Sequence, residues 1–144
     1  MARPKICVSF DYENDKYSRF AIRLWNTNKN IDFDIIDKTP NEIDTYNISR
    51  IKAGLTTKIS ESNILLVISG DYINTPHKNR NEIGCINWQN WECKKALELD
   101  KKIILVKLHS NNSIPTELLG EKREDVVGLE LEKVKKAISN LMVH

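Results

Sequence analysis

The run Ile64-Leu65-Leu66-Val67-Ile68-Ser69 carries no charge and no alternation, and it constrains the fold more than any other stretch of the chain. A strand with one wet face alternates polar and apolar side chains, so a run that does not alternate needs apolar cover on both faces. Such cover is typical of a central strand in a parallel sheet, with crossover helices packed above and below it.

The flanking segments fit that frame. Lys5 to Phe10 reads as a short buried strand, and Asp11 to Asn28 then places Tyr17, Phe20, Ala21, Leu24 and Trp25 at helical intervals. Asp32 to Asp37 forms a second strand that ends at Lys38-Thr39-Pro40, where proline stops regular structure. Asn47 to Ser62 sets Ile48, Ile51, Leu55 and Ile59 on one helical stripe, despite Gly54, which costs about 1 kcal/mol relative to alanine. A helix bearing Trp88 and Trp91 runs to about Asp100, and Lys102 to Leu108 supplies another apolar strand. Pro115 to Gly120 reads as a helical turn, Val126 to Leu129 as a short edge strand, and Glu130 to Met142 as an amphipathic helix. Between Gly70 and Asn87 lies a polar segment without periodicity, of a length usual for functional or disordered loops. Strands alternating with helices predict an α/β, three-layer domain around a parallel sheet, with residues 1–144 forming one domain.

Composition narrows the function classes. A net charge of +2 creates no global field that would attract nucleic acid. No apolar run is long enough to span a bilayer and the first residues lack an apolar signal region, so a cytoplasmic protein is expected. Cys7, Cys85 and Cys93 are an odd set without metal-ligand spacing, which points to reduced thiols and no metal site.

In an open parallel sheet, ligands bind beyond the C-terminal strand ends. Those ends deliver Ser9-Phe10-Asp11, Asp37-Lys38-Thr39 and Gly70-Asp71, and Glu92 follows near the start of the tryptophan helix. Trp88 and Trp91 share one face at i, i+3 spacing, with Glu92 beside them. Two readings of the rings stand: they pack the core, or they wall a pocket over which the Asp71 to Ile86 loop closes. Read from the residues alone, Ser9 is a satisfied strand-end hydroxyl and Asp37 a solvated turn. His77 reads as a loop surface residue. No Gly-rich phosphate loop is present.

Val8-Ser9-Phe10-Asp11-Tyr12-Glu13-Asn14-Asp15, the Ile64 to Gly70 strand and Asn87-Trp88 with Trp91-Glu92 resemble the TIR-like family, most of all its Thoeris antiphage-defence type, over roughly residues 4 to 110. The resemblance implies a flavodoxin-like sheet and cleavage of the bond between nicotinamide and ribose in NAD, with Glu92 at the position of the family's catalytic glutamate. It implies substrate contacts from Ser9, Phe10, Asp11, Asp37, Trp88 and Trp91. NAD is then a substrate, and no separate cofactor is implied. It further implies a cyclic ADP-ribose-like signal that activates a partner effector, and a homo-oligomer in which a neighbouring copy completes the pocket. The chemistry suits one carboxylate: nicotinamide leaves as a neutral base, and the developing ribose cation needs one nearby negative charge.

Two rivals come from the same residues. A receiver domain would use Asp11, Glu13 and Asp71 as a cation-binding triad, but the last strand lacks the lysine that should reach the phosphate. A TIR-like adaptor would signal by contact alone, with Glu92 structural and the tryptophans buried.

Overall fold

The computed structural model describes residues 3–28, 30–36 and 47–142. In chain order the elements are β1 (Lys5–Ser9), α1 (Lys16–Asn26), β2 (Asp34–Ile36), α2 (Ile48–Ser60), β3 (Ile64–Ser69), α3 (Arg80–Ile83), α4 (Trp88–Glu98), β4 (Lys102–Lys107), β5 (Glu124–Val127) and α5 (Leu131–Met142). The strands lie in the order β2-β1-β3-β4-β5, and every pairing is parallel. This is the flavodoxin-like doubly wound arrangement. All six residues of β3 are buried, and they pair in register with Lys102 to Lys107 of β4. The unbroken apolar run is thus a central strand covered on both sides.

Alternation along the strands sorts the core into two layers. Ile6, Val8, Leu66, Ile68, Ile104 and Val106 face α1 and α5, where they meet Ile22, Val134 and Ile138. Cys7, Leu65, Val67, Ile103 and Leu105 face the other way, toward Ile59 of α2 and Cys93 and Ala96 of α4. A third cluster fills the space between α2, α3 and α4 with Ile51, Leu55, Ile83, Cys85 and Trp91.

Three sequence expectations need correction. Tyr17, Phe20 and Leu24 do not face the sheet; they are 70%, 62% and 53% exposed, while Ser18 and Ile22 are buried and Trp25 packs partly against the core. The i, i+4, i+7 row of 18, 22 and 25 is the inner face, and the more obvious aromatic row lies beside it. The Gly70 to Asn87 segment is not structureless: it holds α3, one turn long, ended by Gly84 at φ +88°. The last strand begins at Glu124 and ends at Val127, because Gly128 turns the chain at φ +91° before it reaches Leu129.

Candidate active site

Strand alternation determines what Ser9 meets. It points to the same side of the sheet as Cys7, toward α2 and α4, from the last position of β1. On α2 the buried residues are Ile51, Leu55, Lys58 and Ile59, so a lysine lies within an otherwise apolar stripe. On α4 Gln89, Glu92, Cys93 and Ala96 are buried at the i, i+3, i+4, i+7 spacing of one helical face.

These three elements converge on Glu92. Ser9 Oγ donates to Glu92 Oε1 at 3.1 Å, and Lys58 Nζ donates to Oε2 at 3.2 Å. Nζ also lies 3.4 Å from the Val8 carbonyl oxygen. Ser9, Lys58 and Glu92 are 1%, 3% and 2% exposed, so both carboxylate oxygens are occupied inside the protein. Burial pushes the Glu92 carboxyl up, and the Lys58 charge together with hydrogen bonds from Lys58 and Ser9 pulls it back only in part. Gln89 braces the strand ends beside the site: its Nε2 donates to the Ser9 carbonyl at 3.2 Å and the Ile68 carbonyl at 2.9 Å, bridging the C-terminal ends of β1 and β3.

The other sequence candidates lie elsewhere. Trp88 and Trp91 do share a face and meet edge to face at 5.9 Å and 75°. Trp91 is buried in the cluster between α2, α3 and α4, with the Lys95 ammonium 5.5 Å from its ring centre, and Trp88 packs against the same cluster. Core packing therefore describes these rings. Consecutive helical residues diverge by about 100°, so the face that buries Trp91 turns away from the one that buries Glu92. A cavity of about 230 Å³ beside Trp91 is lined by Lys52, Cys85, Lys94 and Glu98 among others, and does not reach Glu92.

Phe10 is buried in the opposite core layer with its ring 6.3 Å from Tyr12, because it follows Ser9 by one residue and points the other way. Asp11 caps its own turn, accepting from the backbone N–H groups of Glu13 and Asn14 at 3.2 Å each. Asp71 accepts from Asn112 Nδ2 at 3.0 Å. Among the described residues no group of three His, Cys, Asp or Glu side chains is placed to hold a metal ion, so Asp11, Glu13 and Asp71 do not form the receiver's triad. His77 is half-buried in its loop, where Nδ1 accepts from the Asn79 backbone N–H at 2.9 Å. Asp37 lies outside the described residues. Among the described residues no helix is long and apolar enough to cross a membrane.

Lys58 and Gln89 are the two site residues that the sequence reading missed. Each carries a visible signal, a polar residue on the buried stripe of its helix.

Comparison with known proteins adds a family and a fold. The family profile described as Thoeris protein ThsB, TIR-like domain, matches residues 7–113. No curated protein matches the chain. Among solved structures, the CMP N-glycosidase BcmB of Clostridium botulinum is similar at 12% identity and a TM-score of 0.53, covering 96% of this chain and 99% of that one. A 2-deoxyribosyltransferase of Bacillus psychrosaccharolyticus is similar at 13% identity and a TM-score of 0.56, covering 91% and 90%. At these identities the likeness is one of fold.

Proposed function

The chain belongs to the TIR-like family of Thoeris protein ThsB, and from that premise we propose that it cleaves the N-glycosidic bond between nicotinamide and ribose in NAD, with Glu92 as the catalytic carboxylate. The observation that carries this reading is the burial of Glu92 at the C-terminal end of β1, the sheet edge where such folds bind ligands, under a hydrogen bond from Ser9. Two fold relatives bear the names of an N-glycosidase and a deoxyribosyltransferase, which supports chemistry at a sugar's anomeric carbon.

In the proposed reaction the carbon–nitrogen bond breaks and its electron pair moves onto the nicotinamide ring nitrogen, cancelling that nitrogen's charge. Positive charge develops on the ribose, where Glu92 stabilises it. Attack by water then gives ADP-ribose and a proton. Attack by an adenine nitrogen gives a cyclic product and a proton, which is the signal we assign to a defence role with a partner effector. Excluding water from the site favours the cyclic outcome.

The carboxylate is covered in the structure, so one of its oxygens must change partner when ribose arrives. Exchanging a hydroxyl hydrogen bond alters stability by only about 0.5–1.5 kcal/mol, whereas breaking a buried ion pair costs about 3–5 kcal/mol. Oε1, held by Ser9, is therefore the oxygen that turns to substrate. The adaptor reading is favoured by the same burial, since a structural ion pair would look alike.

Glu92→Gln separates the two. Nicotinamide release from NAD should fall about 100-fold or more, measured with and without material from phage-infected cells as trigger. Turnover equal to that of the native chain would remove Glu92 from the reaction.

A further inference from the structure

Resting on that reading, we propose that Lys58 is a positioning residue: its ammonium holds Glu92 Oε2 throughout the reaction, so that the carboxylate stays ionised and only Oε1 turns to substrate. Among its contacts, Lys58 bonds to Oε2 at 3.2 Å and to the Val8 carbonyl of β1 at 3.4 Å. It lies within the stripe of Ile51, Leu55 and Ile59, which packs α2 against its neighbours. An apolar side chain would suit that stripe, so the charge there answers the acid opposite.

A carboxylate sealed from water without a counter-charge takes up a proton, and a neutral acid cannot steady a developing cation. Among the described residues, the groups facing Glu92 are Lys58 from α2, the uncharged Ser9 hydroxyl from β1 and, next along α4, the Cys93 thiol. Burial pushes that thiol well up, which favours its neutral form and adds no charge beside the carboxylate. Lys58 also fixes direction. With Oε2 held, rotation of the carboxylate is restricted and Oε1 is left toward Ser9 and the strand end.

The test compares the native chain with Lys58→Met and Lys58→Arg. The ionisation of Glu92 is followed by carbon NMR of labelled glutamate, assigned by its loss in Glu92→Gln, and nicotinamide release from NAD is measured across pH. In Lys58→Met the Glu92 titration and the acid limb of kcat should both move up by about one pH unit or more, with kcat recovering at higher pH and KM changing less. Lys58→Arg should leave both near their native positions. An unmoved Glu92 titration would overturn the proposal, as would a loss of kcat that is uniform across pH. Turnover by Lys58→Met at or above the native rate at every pH would also overturn it, because the pair would then be a latch that opens for catalysis. Should Lys58→Met fail to fold, Lys58→Gln makes the same comparison. If the native chain releases no nicotinamide, the titration alone decides the role of Lys58, and the failure belongs to the assigned reaction.

Discussion

The Glu92 and Lys58 side chains are each 2% exposed at 3.2 Å, and taking two charges from water is costly even when they meet. Replacing both with apolar groups of similar size is commonly neutral or stabilising by about 1–4 kcal/mol, whereas losing one partner strands the other. The double variant Lys58→Met/Glu92→Leu should therefore unfold in urea at or above the native midpoint and release no nicotinamide. A midpoint well below the native one would show that the pair supports the fold rather than the chemistry. The acid limb of activity follows from the same burial. Because burial raises the Glu92 carboxyl, turnover in the native chain should decline, as pH falls, at a higher pH than an ordinary glutamate would set, and a limb at or below that ordinary position would contradict the assignment. The sequence singled out Glu92 as a candidate through its place after the tryptophan pair. Lys58 was passed over, because a lysine in an apolar stripe usually buries only its stem and keeps its ammonium in water, so the polar residue on the buried stripe was not read as a partner for the acid.

α4 is held in place by a set of asparagines at its start. Asn87 caps the helix by accepting from the Asn90 N–H at 2.9 Å, and its own Nδ2 donates to the carbonyls of Ile73 at 2.7 Å and Thr75 at 3.1 Å. Asn90, fully buried, donates to Ile73 and Asn74 and accepts from the Glu117 N–H. The helix that carries Glu92 is thus fastened to the loop after β3. Asn87→Ala should lose about 1–2 kcal/mol from the cap alone, read as a lower midpoint in urea, and faster hydrogen exchange in the first turn of α4 should accompany it. Unchanged exchange there would mean that packing, not the cap, fixes the helix start. The helical stretch from Asn47 to Ser62 was readable in the sequence, whereas the inner face of α1 was not. Tyr17, Phe20 and Leu24 make the more apolar row, but the small Ser18 with Ile22 and Trp25 fits against the sheet.

At the scale of the molecule, the unbroken run of β3 specified a sheet covered on both sides, while the strand order β2-β1-β3-β4-β5 is seen only in the folded chain. What the sequence did not disclose was which core layer each site residue joins, since Ser9 and Phe10 are neighbours in the chain and lie on opposite sides of the sheet. The layering makes the thiols a probe of global opening. Cys7 of β1 and Cys93 of α4 are both 0% exposed in the same layer, and Cys85 is 8% exposed. Under pulses of iodoacetamide in rising urea, Cys85 should react first and Cys7 and Cys93 together, at the main transition. Modification of Cys93 ahead of Cys7 would reveal that α4 detaches on its own.

Ser9 and Glu92 stand 83 residues apart in the chain and touch only once β1, α2 and α4 are assembled. A ribosome therefore delivers the hydroxyl and the ammonium well before the acid they hold. Under the proposed reaction, polypeptides interrupted ahead of α4 lack the carboxylate and are silent, and a cell that carries such fragments is spared that chemistry.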